Sequence, residues 1–172
     1  MSTENKTIKE FVDNAMYRLD ESTRMISIAF GNIDEEQIWV KPNESSNSIG
    51  NLILHLCGNI TQYAISSLGE KEDTRERDIE FKTISGYSKE QLLTALEETV
   101  EKAKSTIKNT TLKQWLKKRE VQGFHFSGIG VVLHVVEHYS YHTGQIAFWV
   151  KQLENKQLGF YDGMDLNQRN LE

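Results

Sequence analysis

One cysteine and one proline are all that 172 residues contain, and charge of one sign is never concentrated. The single Cys57 excludes an internal disulfide framework and suits a reducing, cytoplasmic setting. A net charge of −5, spread without long single-sign blocks, argues against nucleic acid or an anionic membrane surface as the partner, because phosphate binding needs a concentrated basic face. The N-terminal MSTENKTIKEF has no apolar signal core, so secretion is not expected. Formal charge is missing throughout Ser45–Gly69, long enough to raise the question of a membrane span. Its Asn, Gln, His and Ser side chains are too costly in hydrocarbon, so the segment reads as a buried helix of a soluble protein.

The length suits one domain over residues 1–172, with no internal repeat. A first helix is expected over Thr7–Gly31, with Thr7 and Glu10 as a capping box and Ile8, Phe11, Val12, Ala15, Leu19, Ile26 and Phe30 on one face. Pro42 disfavours helix at Lys41 and marks an irregular turn near Trp39. A second helix follows over about Asn47–Leu68. Beside its apolar face runs a stripe of uncharged polar residues, Ser48, Asn51, His55, Asn59 and Gln62, where a solvent-facing side would carry Lys and Glu. Such a stripe makes either hydrogen bonds between helices or a polar pocket wall with His55 at its centre.

Gly69–Tyr87 is a polar connection of little periodicity, long enough to cross the molecule and leave the second and third helices parallel. The third helix starts at Ser88 with Gln91 completing a capping box, and buries Leu92, Leu96, Val100, Ala103 and Ile107. Thr110–Gln122, with Trp115 and the run KKRE, reads as a solvated turn, and His125 as a surface or loop histidine. The polar tail Glu154–Glu172 reads as loosely packed or reaching a partner subunit.

The fourth helix, Ile129–Lys151 and ending near Leu153, has one formally charged residue, Glu137, between Phe124 and Val150. A helix this apolar all round is buried. It carries His134, His138 and His142 at spacings of four, hence on one stripe. Neighbours at that spacing are about 40° apart and one turn along, so two imidazoles can reach one ion at the roughly 2.0–2.1 Å that a metal–nitrogen bond requires. Either pair, His134 with His138 or His138 with His142, satisfies the spacing. With His55 from the second helix, three neutral imidazoles would leave an open coordination position, the pattern of a catalytic rather than a structural zinc site. Nickel and copper also accept imidazole. Cys57 lies about 200° around the helix from His55, so it reads as a buried structural thiol and not a fourth donor.

The stretch WVKPNESSNSIGNLILHLCGN, followed downstream by HVVEHYSYHTGQI, resembles the DinB/YfiT-like superfamily of metalloenzymes, in a branch of unknown function, over most of the chain. The resemblance implies an all-α four-helix bundle in up-down-down-up order, with the long crossover between the second and third helices. It implies one ligand from the second helix and a His-x-x-x-His pair from the fourth, here His55, His138 and His142. The HTGQI context selects His142, leaving His134 to orient a ligand or to pack in the core. Asn51 and Gln145 are the expected orienting partners, since metal-bound imidazoles usually donate their second N–H to another group. Tyr139, Phe148 and Trp149 are expected to fill core space.

Relatives of this kind include transferases and isomerases that use bacillithiol, mycothiol or glutathione. The resemblance therefore implies a divalent ion, zinc or nickel, a low-molecular-weight thiol, a small-molecule substrate and a homodimer. The expected activity is metal-dependent thiol S-transfer. Its alternatives are a metal-dependent hydrolase, a non-catalytic metal-binding or stress-related module, and a bundle whose core histidines only hydrogen-bond.

Overall fold

Three of the four long helices begin where a serine cap satisfies their first free N–H groups, and in the computed structural model, which describes residues 3–169, the four make a bundle. Helix α1 spans Thr3–Gly31 and α2 spans Ile49–Ile60; α2 continues as a π-helical stretch over Thr61–Leu68. A short α3, Arg77–Lys82, interrupts the crossover, and α4 follows over Lys89–Lys108. Then come α5, Leu112–Leu116, a hairpin of β1, Arg119–Val121, and β2, Phe124–Phe126, and finally α6, Gly128–Glu154. Ser48 Oγ accepts from Asn51 N while Asn51 Oδ1 accepts from Ser48 N, and Ser88 with Gln91 does the same for α4. Ser127 caps α6, which ends at Asn155 in the left-handed region.

Side-chain pairs fix the directions. Asp20–Lys104 and Ile33–Lys89 make α1 and α4 antiparallel. Thr23–Tyr139 and, just beyond α1, Gln37–Glu154 make α1 and α6 parallel. His55–His138 and Asn59–His134 run α2 against α6. Cys57 meets Thr99 and Gly69 meets Thr106, so α2 and α4 are parallel. The order is up-down-down-up, as a long crossover requires. The core lies between the four helices, where Leu19, Ile26, Phe30, Ile53, Leu56, Leu92, Leu96, Val135, Tyr139 and Ile146 are buried. At about 1.5–3 kcal/mol for each large apolar side chain removed from water, this layer carries most of the favourable side of folding.

Several expectations are corrected. Helix α1 starts four residues before Thr7, whose hydroxyl bonds the carbonyl of Thr3 instead of capping. The second helix is α-helical only to Ile60. The crossover is not featureless, because α3 forms within it. Thr110–Gln122 is no simple solvated turn: Trp115 of α5 is buried against Phe11, and Arg119–Val121 pairs with Phe124–Phe126. Gln122 and Gly123 both have positive φ, as a tight two-residue hairpin turn demands. Phe148 is not core; it is 64% exposed, on the side of α6 facing away from Val135, Tyr139, Ile146 and Val150. Trp149 is half-buried and donates to Val40 O. Within the tail, Leu158 is buried and Phe160 packs against the core; residues 170–172 of that tail lie outside the described residues. Among the described residues, no helix is long and apolar enough to cross a membrane.

Candidate metal centre

Helices α2 and α6 run antiparallel at the point where each carries its histidines. His55 comes from the middle of α2; His138 and His142 come from successive turns of α6. Their ring centroids are 4.5–5.0 Å apart, and one nitrogen from each lies within 4.8 Å of the other two. His55 Nε2 and His138 Nε2 are separated by 2.9 Å. Two imidazole nitrogens sharing a tetrahedral ion stand roughly 3.3–3.4 Å apart, so this pair needs little adjustment. His55 and His142 are buried, and His138 is half-buried.

Hydrogen bonds decide which nitrogens are free. Glu80 Oε2 lies 2.9 Å from His55 Nδ1. Burial alone would raise the Glu80 carboxyl, but hydrogen bonds from Arg75 and His55 outweigh it and hold the group below the usual range. An ionised carboxylate only accepts, so Nδ1 carries the proton and Nε2 keeps its lone pair. His142 Nδ1 lies 2.7 Å from Gln145 Oε1, which leaves its Nε2 free in the same way. Burial, which penalises an imidazolium, pushes His138 down to about 3 and His142 to about 4, and the neighbouring histidines add to the effect. At neutral pH these two rings are neutral, the form a divalent ion requires. The donor set therefore fits an ion that prefers nitrogen.

Glu80 is fixed in turn. Arg75 Nε donates to Glu80 Oε1 at 2.7 Å and Arg75 Nη2 to Oε2 at 2.8 Å, a two-point pairing on the crossover. Gly58 makes room for it, since a Cβ there would stand 2.0 Å from Glu80 Oε1. Neither Arg75 nor Glu80 was expected from the sequence, where Gly69–Tyr87 reads as a polar connection of little periodicity. The available signal was indirect: an uncharged polar stripe on α2 needs partners from another element.

The other expected residues fall as follows. Asn51 does not touch an imidazole; its amide donates to the carbonyls of Glu80 and Thr83 and so pins α3. His134 stacks on Tyr63 at 3.9 Å, lies 5.3 Å from the His138 ring and sits 3.3 Å from the Asn59 amide. Tyr139 is buried and shares a hydrogen bond with Thr23. Cys57 packs beside Thr99, and burial pushes its thiol up to about 11. His125 is exposed on β2. Two clefts adjoin the cluster. One of about 450 Å³ is lined by His134, Glu137, His138, Ser140 and Tyr141. Another of about 440 Å³ includes Asn43, Ser46, Leu52, Gln145 and Phe148.

The bundle has a DinB-like fold, and three imidazoles between its second and last long helices make a donor set compatible with metal binding. The sequence profile of the family described as "Protein of unknown function (DUF1572)" matches residues 6–161, and the chain belongs to that family. The fold is similar to a DinB-like protein from Bacillus subtilis, with a TM-score of 0.65 and 18% identity over 88% of this chain and 96% of that one. It is also similar to a DinB-like protein from Bacillus cereus, with a TM-score of 0.67 and 12% identity over 87% and 94%. No curated protein matches the sequence.

Proposed function

We propose that His55, His138 and His142 hold a divalent ion, zinc or nickel, and that the site transfers a low-molecular-weight thiol of the bacillithiol type to an electrophilic small molecule. The observation that carries the reading is the convergence of three imidazoles, two of which have their Nδ1 committed to Glu80 and Gln145. Bound there, the ion would supply the Lewis acidity that turns a thiol into a thiolate near neutral pH. The chain's own residues do the rest. Glu80 and Gln145 orient two rings, and His138 opens the cluster to the cleft beside Glu137 and Tyr141. Cys57, protonated at neutral pH, does not provide the sulfur, so the sulfur comes from outside. In the net reaction the thiol loses a proton, a carbon–sulfur bond forms, and the electrophile's leaving group departs with its electron pair.

Metal analysis of untagged protein, followed by a conjugation assay with monochlorobimane and bacillithiol, tests the reading. One equivalent of metal and thiol-dependent loss of chloride are expected, both abolished in His138→Ala while the helical spectrum persists. Metal without turnover leaves a non-catalytic metal-binding module, and no metal removes the proposal.

A second reading, hydrolysis by activated water, is favoured by one specific observation. Neither cleft lining contains Lys or Arg, and Glu137 adds negative charge, so a carboxylate-bearing thiol finds no fixed countercharge there. Release of p-nitrophenol from p-nitrophenyl acetate without added thiol, lost in the same variant, would select it.

A further inference from the structure

The polar stripe of α2 is a docking track for the crossover. Asn51 donates to the backbone of Glu80 and Thr83, His55 donates to the Glu80 carboxylate, and Gln62 bonds both Asp73 and Arg75. The candidate centre is therefore assembled from three segments, although only two of them carry imidazoles.

We propose that Glu80, clamped by Arg75, is the positioning residue of this centre: it sets the tautomer of His55 so that Nε2, and not Nδ1, faces His138 with a lone pair. The affinity arm of this inference rests on the metal-binding reading above; the tautomer arm does not.

The geometry makes a sign-specific demand. Arg75 Nη2 lies 3.1 Å from His55 Nδ1 as well as 2.8 Å from Glu80 Oε2. A guanidinium has only donors, so it can bond Nδ1 only if that nitrogen has no proton. While Glu80 is present, the carboxylate takes the Nδ1 proton and the guanidinium is satisfied elsewhere. Remove the carboxylate and the nearest acceptor left for Arg75 Nη2 is His55 Nδ1. The proton then moves to Nε2, the atom that would have to bind the ion. Glu80→Ala thus does more than loosen a ring; it inverts the ring's donor pattern. The inversion needs Arg75, so removing the arginine too should undo part of the damage. A purely structural role predicts the reverse, with the double variant worse than the single.

Three proteins decide it: wild type, Glu80→Ala, and Arg75→Met/Glu80→Ala, each stripped with chelator and checked for helix content. Nitrogen-15 NMR of the imidazoles reads the His55 tautomer, and calorimetric titration with zinc reads affinity. Expected are Nδ1–H in wild type, Nε2–H in Glu80→Ala with zinc affinity down about 10–100-fold, and partial recovery of both in the double variant. A wild-type His55 protonated on Nε2 overturns the inference, whether or not Glu80→Ala folds. So does a Glu80→Ala protein that keeps Nδ1–H and binds zinc within twofold of wild type, or a double variant weaker than the single. Wild type that binds no zinc yet shows the tautomer switch refutes the metal reading and leaves the positioning role standing.

Discussion

His142 Nδ1 lies 2.7 Å from Gln145 Oε1, one turn further along α6, and that same glutamine lines the cleft floored by Leu52 and Phe148. One amide thus holds a ring of the candidate centre and faces the space beside it. Its removal tests whether the ring needs holding. Gln145→Ala should lower zinc affinity about tenfold by titration, the lower end of what losing an orienting partner costs. Helix content should be unchanged, because Gln145 is half-buried and alanine favours helix. Unchanged affinity would show that packing alone sets the ring.

His134 and His138 share a face of α6 and are nearly parallel, yet they should behave as opposites. His134→Phe keeps a flat ring against Tyr63 and discards only the nitrogens, so zinc affinity should stay within about threefold. His138→Ala removes a proposed ligand, and its loss should exceed the roughly 10–100-fold attached to orienting residues. If the phenylalanine variant is the weaker binder, the pair on α6 is His134 with His138.

These two histidines also show how far the sequence could be read. Spacing of four residues placed three imidazoles on one stripe, and the uncharged stripe of α2 marked the element they would meet. Helical periodicity over twenty or more residues carries that much, and the capping Ser88 carried the start of α4, whereas Ser48, read as part of the polar stripe, is in fact the cap of α2. It did not carry α3, whose six residues are too few to display a period, and it did not carry Arg75 or Glu80. Both look like surface charge because their burial depends on how the crossover is laid down, and that is decided by Asn51 and by the missing side chain at Gly58. Phe148 failed for a related reason: an apolar residue on a buried helix need not face the core, and at that position it borders a cleft.

Acid should unfold the metal-free protein early. His138 and His142 are held near 3 and 4, well under the ordinary 6.5, chiefly because burial penalises their charged forms. The unfolded chain therefore takes up protons first as pH falls below about 6.5, and stability drops while the folded rings stay neutral. Each imidazole can contribute a slope approaching about 1.4 kcal/mol per pH unit. Glu80, with its carboxyl held low, adds stability that is present above its unfolded value and lost below it, in the same direction. Allowing for the half-exposed position of His138, a loss on the order of 1–2 kcal/mol between pH 8 and pH 5 is expected from urea unfolding of chelator-treated protein. A flat profile over that window would mean that the folded rings take up protons as readily as those of the unfolded chain.

The thiol of Cys57 gives the sharpest separation between a protein nucleophile and a borrowed one. Burial pushes it up to about 11, and Thr99 beside it offsets only part of that rise. At pH 7.5 roughly one molecule in three thousand would carry the thiolate, the only reactive form. Iodoacetamide should therefore label the native protein far more slowly than the urea-unfolded chain. Cys57→Ala should leave zinc affinity and any thiol-dependent turnover within about twofold, since the side chain lies on the far side of α2 from His55. The cost should fall on stability alone, on the order of 1 kcal/mol for a small, half-buried group. Fast labelling of folded protein, or turnover that vanishes with the thiol, would place the sulfur nucleophile inside the chain and remove the need for an external donor.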